Sequence, residues 1–136
     1  MVEIDIVYQG DLHCEATHAP SRATLSTDAP KDNEGKGESF SPTDLVATAL
    51  GTCMVTIMGI YARRNGIDIS GAKVHVVKDM VQEPIRRIGS LRVKIEVPKK
   101  VDERHRRALE QAAKHCPVHQ SLHPDVKIPV EFVWAS

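Results

Sequence analysis

The sequence predicts an α+β domain, and three observations carry that prediction. One run of residues, Leu45 to Ala62, holds no charged side chain and reads as a single long helix. Short stretches on either side alternate apolar and polar residues with a period of two, the mark of half-buried strands. Successive strands follow one another closely, as in hairpins, which favours antiparallel pairing. At 136 residues the chain is long enough to bury one core, and residues 1–136 read as a single domain.

Taken in order, Glu3 to Tyr8 sets Ile4, Ile6 and Tyr8 against Glu3 and Asp5, a strand with one face expected to be covered. Gln9-Gly10-Asp11 is a turn. Leu12 to Thr17 alternates again, with Leu12, Cys14 and Ala16 on one face. Ala23 to Thr27 is a weaker third strand. From Asp28 to Gly37 the composition shifts to Pro, Lys, Asp, Asn, Glu and Gly, which predicts a mobile surface loop. Beyond the long helix, Ala72 to Met80 alternates Val74 and Val76 with Lys73 and His75. Gln82 to Gly89, with Pro84 and two arginines, reads as a turn. Leu91 to Val97 is the cleanest strand, with Leu91, Val93, Ile95 and Val97 inward, and Pro98 ends it. Asp102 can cap a second helix through about His115, whose Leu109, Ala112, Ala113 and Cys116 share a face. A short His-rich segment and a last strand, Ile128 to Trp134, complete the chain.

The stretch Ser41 to Gly66 organises the rest. Ser41 is placed to be its N-cap, Pro42 sits at the first helical position, and Asp44 falls three residues after the cap, close to a capping box. Arg63 and Arg64 occupy the last turn, and Asn65-Gly66 can take the positive φ that ends a helix. A helix apolar almost all round is expected to be buried on every side. Ala47, Gly51, Val55 and Gly59 form a small-residue stripe suited to close helix–helix contact, so two copies of this helix are expected to pack together in a homodimer, with a second helix of the same chain as another source of cover. A charge-free run of this length also has the make-up of a membrane span. The polar ridge of Thr48, Thr52 and Thr56, and amphipathic strands that need an apolar layer, favour a core helix and no membrane partner.

Lys+Arg and Asp+Glu are equal at 18 each and the pI is about 7.1, which argues against nucleic acid as a partner. The opening MVEIDIVYQG goes straight into a strand pattern without a signal-peptide core, so a cytoplasmic location is expected. Three cysteines at unrelated spacings make no disulfide framework. Cys53 in the middle of the long helix and Cys116 before Pro117 read either as two core cysteines or as a redox pair. Cys14 alternates with apolar neighbours and reads as packing. His115, Cys116, His119 and His123 form a competing zinc set, with solvated histidines as the plainer reading. Arg86-Arg87 and Arg104, Arg106 and Arg107 read as a solvated face.

Ser41-Pro42-Thr43-Asp44-Leu45, then Gly51-Thr52-Cys53, and some sixty residues later His115-Cys116-Pro117-Val118-His119 with Ser121-Leu122, resemble the OsmC/Ohr family over nearly the whole chain. The resemblance implies an OsmC-like fold, with antiparallel sheets wrapped around a long buried central helix, in an intertwined homodimer. It implies a thiol-dependent peroxidase that reduces organic hydroperoxides at the subunit interface, with no cofactor and no metal. Cys53 would be the peroxidatic nucleophile and Cys116 the resolving thiol; a small organic hydroperoxide and a dithiol reductant would be the other partners. The family's peroxidases carry an acid directly after the proline, which positions an arginine. Thr43 stands there in this chain, so Asp44, one place on and about 100° around the helix, and Arg22, the one arginine before the helix, are the candidate orienters. His115 or His119 are further candidates to activate Cys53. The rival reading is a non-catalytic dimer that binds a small molecule and keeps its cysteines for structure.

Overall fold

The computed structural model describes all of residues 1–136. It forms two compact units, residues 1–46 and residues 47–136.

The first unit is an antiparallel meander of β1 (Ile4–Gly10), β2 (His13–His18) and β3 (Thr24–Asp28). Asp11 and Leu12 form the β1–β2 turn with φ of 53° and 60°, the twist that matches two antiparallel strands. Leu12 therefore leaves the strand that the alternation predicts for it. The register pairs Ile6 with Ala16 and Ala16 with Leu25, so Ile4, Ile6, Tyr8, Cys14, Ala16 and Leu25 share one face. Here the structure corrects the expected burial. Ile4, Ile6 and Tyr8 are 59%, 66% and 62% exposed, because a lone three-stranded sheet brings no layer of its own to cover them.

The stretch expected to be a mobile loop is tied down. Lys31–Asn33 form a single 3-10 turn, Gly35 and Asn33 both donate to the Pro30 carbonyl, and Gly37 donates to Ala29. A Cβ at Gly35 would overlap the Ala29 carbonyl. Asp28 anchors the stretch: its buried carboxylate accepts from His13 Nδ1 at 2.5 Å and from the Glu38 N–H at 3.0 Å. The His13 hydrogen bond, and after it the Glu38 N–H, hold this carboxyl below its ordinary range against the opposing effect of burial. A depressed carboxyl contributes stability above the unfolded value of about 4 and loses it as pH falls through the folded value. Asp28→Asn is therefore expected to flatten the acid limb of the stability–pH curve below about pH 4, read by urea unfolding at stepped pH. Parallel curves for parent and variant would remove Asp28 from the acid response.

The helix α1 (Pro42–Arg64) begins in the first unit and runs through the second. Its end has the predicted chemistry. Gly66 takes φ 66°, Ile67 N–H reaches the Ala62 carbonyl and Gly66 N–H the Arg63 carbonyl, which closes the last turn. The second unit adds β4 (Lys73–Val81), β5 (Arg87–Val97), α2 (Glu103–Lys114), α3 (Pro117–Ser121) and β6 (Val130–Trp134). The sheet order is β4-β5-β6. Leu91, Val93, Ile95 and Val97 are buried as predicted, and Asp102 caps α2 by accepting from His105 N–H at 3.0 Å. Arg87 to Gly89, expected in a turn, already belong to β5, and the turn before them holds a cis Glu83–Pro84 bond.

Two further expectations change. β6 runs parallel to β5, not antiparallel, because the connection through α2 and α3 is long enough to carry the chain back to the starting end. Within its own chain α1 has 33% of its apolar window buried, so a second helix of the same chain does not complete the cover expected on its other sides. By length and composition it would pass for a membrane span, but its buried face is a stripe. Ala47, Leu50, Gly51, Met54, Met58 and Ala62 form that stripe, while Thr48, Thr52 and Thr56 face outward. A Cβ on Gly51 would meet Val76 Cγ2 at 3.0 Å and Val74 Cγ1 at 3.2 Å, so this glycine seats α1 on β4. The small-residue stripe thus serves the helix's own sheet at Gly51, whereas a Cβ at Gly59 would meet nothing within 4 Å. At the other edge, α2 packs beside β6: Trp134 Nε1 donates to Glu110 at 2.9 Å, and Arg106 lies over the indole at 5.8 Å. Arg106 also donates to the Val101 and Ala135 carbonyls, so it leaves the solvated face assigned to it and becomes a half-buried strut.

Candidate active site

The second unit brings Cys53 and Cys116 together. Cys53 sits on the flank of α1, between the buried stripe and the exposed threonines, and is partly exposed. Cys116 lies where α2 gives way to α3, and is fully enclosed at 0% exposure. Local chemistry fixes that position. The His115 N–H reaches back to the Ala112 and Ala113 carbonyls and closes α2. Pro117 then denies Cys116 a helical conformation and drives it to the extended region, φ −67° and ψ 147°. Pro117 occupies the first position of α3 and Cys116 becomes its N-cap, with Sγ accepting from the His119 N–H at 3.3 Å.

Cys53 and Cys116 are neighbours in space, close enough for Cys53 to bear on the Cys116 thiol, and both are free. Burial pushes the Cys116 thiol above its ordinary range, and the neighbouring Cys53 pushes it further. The His119 and Val118 N–H groups act in the opposite sense. The two residues therefore differ: Cys53 is partly exposed in its own chain, while Cys116 is enclosed and holds its proton. Such an arrangement can exchange electrons through an S–S bond without a metal.

The other predicted residues have local partners of their own. Asp44 is a helix cap: its Oδ2 accepts from the Ser41 N–H at 2.9 Å, and Ser41 Oγ accepts from the Asp44 N–H at 3.1 Å. This reciprocal pair is the capping box expected from the sequence. Asp44→Ala is expected to lower stability by about 0.5–2 kcal/mol, measured by urea unfolding; an unchanged midpoint would show that the box carries no weight. Arg22 occupies the β2–β3 turn with φ 63°, is exposed, and donates its N–H to the His18 carbonyl. The zinc set does not converge. His115 Nδ1 bonds the Gln111 carbonyl at 2.7 Å, His123 Nδ1 accepts from the Asp125 N–H at 3.0 Å, and no three metal-binding side chains gather anywhere in the chain. His115 is exposed, with its ring tied to the Gln111 carbonyl. What sequence reasoning missed is the pair of N–H groups on Cys116. A five-residue helix is too short for periodicity to reveal, but a capping residue followed directly by proline was the available signal.

Comparison with known proteins follows the same pattern. A family model described as OsmC-like protein matches residues 35–131. A crystal structure from Psychrobacter arcticus, of a protein assigned to osmotic stress induction and detoxification response, is 43% identical. The match covers 97% of this chain and 96% of that one, with a TM-score of 0.92. An OsmC-like protein from Mycoplasma pneumoniae is 18% identical, covers 100% and 98% of the two chains, and gives a TM-score of 0.83. The organic hydroperoxide resistance protein OhrB of Bacillus subtilis is 16% identical, with 97% of each chain covered and a TM-score of 0.71. The last two likenesses are of fold. No protein with a curated description matches the sequence significantly.

Proposed function

The chain belongs to the OsmC-like protein family, and from that premise we propose that it is a thiol-dependent peroxidase acting on organic hydroperoxides in stress defence. The observation that carries this reading is the juxtaposition of two free thiols, Cys53 and Cys116, in one compact unit. Stress response and hydroperoxide resistance are also what relatives of this fold are named for.

Cys53, the more exposed of the two residues, attacks the terminal oxygen of the hydroperoxide as its thiolate. The O–O bond breaks, the alkoxide leaves and takes a proton as the alcohol, and Cys53 becomes a sulfenic acid. Cys116, still protonated and adjacent to it, condenses with it to a disulfide and releases water. A dithiol then returns both cysteines to thiols and leaves as its own disulfide. The protein acts as a homodimer in this reading. The uncovered apolar face of Ile4, Ile6 and Tyr8 and the exposed threonine side of α1 support it, and mass measurement in solution tests it.

The function is tested by counting thiols before and after one equivalent of tert-butyl hydroperoxide, with peroxide consumption followed in the presence of dithiothreitol. Loss of two thiols per chain, with continuing turnover, is expected. No loss over minutes and no consumption would overturn the reading and leave the small-molecule-binding dimer in its place.

A further inference from the structure

We infer that the disulfide between Cys53 and Cys116 is opened from one side only: the reductant's thiolate attacks Cys53 Sγ, and Cys116 departs as the leaving thiolate. The inference rests on reading these two cysteines as a redox pair, and it assigns each sulfur a distinct role in the reductive half of the cycle.

Access decides the direction. Thiol–disulfide exchange needs the attacking sulfur to approach along the S–S axis, so an enclosed sulfur cannot be the one attacked. Cys116 is 0% exposed within its own chain, and Cys53 is only partly covered. A second copy of the chain can cover more of Cys53 but cannot uncover Cys116. The asymmetry is therefore a property of the single chain.

The departing sulfur is also provided for. Negative charge that develops on Cys116 Sγ as the S–S bond breaks meets the His119 main-chain N–H, already placed 3.3 Å away. A donor fixed before the reaction stabilises charge without reorganising at the moment of bond breaking. It offsets what burial does to this thiol, because a leaving group with a raised pKa departs more slowly.

The step balances. The incoming thiolate forms an S–S bond to Cys53, the Cys53–Cys116 bond breaks, and its electron pair stays on Cys116, which then takes up a proton. With a dithiol, the second sulfur of the reductant attacks the first, expels Cys53 thiolate, and completes the oxidation of the reductant.

The test starts from the disulfide prepared with diamide, which oxidises vicinal thiols whether or not the protein reacts with peroxide. This disulfide is exposed briefly to limiting 2-mercaptoethanol, quenched in acid, alkylated with N-ethylmaleimide and mapped by peptide mass. The mercaptoethanol adduct is expected on Cys53 and the maleimide on Cys116, in at least about tenfold excess over the reverse pattern, the ratio corresponding to roughly 1.4 kcal/mol. An adduct on Cys116, or an even split, would overturn the inference. Failure of diamide to form the disulfide would overturn it too. A disulfide that forms with diamide but not with hydroperoxide, and still opens at Cys53, would defeat the peroxidase reading and leave this inference standing.

Discussion

Cys53→Ser is expected to lower hydroperoxide turnover by about three orders of magnitude or more, to the level of uncatalysed reaction with the dithiol. A serine hydroxyl at this place keeps the shape of the side chain but is a far weaker nucleophile than a thiolate. Cys116→Ser is expected to behave differently. Its first turnover should survive, since the attacking sulfur is intact, but the sulfenic acid then lacks its partner. With excess hydroperoxide Cys53 should climb to the sulfinic acid and stop, visible as two added oxygen atoms on the peptide that contains it. Rapid-quench measurement of the first turnover and mass mapping after prolonged exposure separate the two variants. Equal loss of the first turnover in both would mean that the assigned order of the two cysteines is wrong. Parental turnover in Cys53→Ser would remove the pair from the chemistry altogether.

That test is possible because the pair could be named from the sequence, while its geometry could not. Cys53 and Cys116 are separated along the chain, and only the crossover from α1 through the sheet to α2 and α3 brings them together. Local rules recovered what local energetics decide. The Ser41–Asp44 capping box, the positive φ of Gly66, the Asp102 cap and the alternation from Leu91 to Val97 all stand where the residues placed them. The direction of β6 was not legible, because a short apolar run has the same period whichever way its neighbour runs. Nor was the exposure of β1. Alternation shows that one face is apolar, but not whether the chain itself supplies a cover. The glycine at position 51 looked like one step in a helix–helix stripe, because four-residue spacing marks a smooth face without naming what lies against it.

Gly51 carries the largest structural prediction. Its absent Cβ lets α1 settle on Val74 and Val76, two β-branched side chains that are stiff about χ1 and hold their methyl groups at 3.2 Å and 3.0 Å from where a Cβ would stand. Gly51→Leu is expected to destabilise the protein by about 1–3 kcal/mol through overpacking, measured by urea unfolding. It should also reduce the yield of the Cys53–Cys116 disulfide, since Cys53 lies two residues along the helix that must lift. Gly51→Ala is the finer test, because two effects oppose each other there. Alanine favours a helix by about 1 kcal/mol over glycine, while its methyl group crowds the two valines. With Val76→Ala in the background the crowding eases and the helix preference remains, so Gly51→Ala should stabilise that background more than it stabilises the parent. A coupling of about 0.5–3 kcal/mol in the double-mutant cycle is expected for residues in direct contact. Strict additivity, together with a Gly51→Leu variant as stable as the parent, would show that α1 does not rest on β4 at this point. The sheet would then no longer be what holds Cys53 against Cys116.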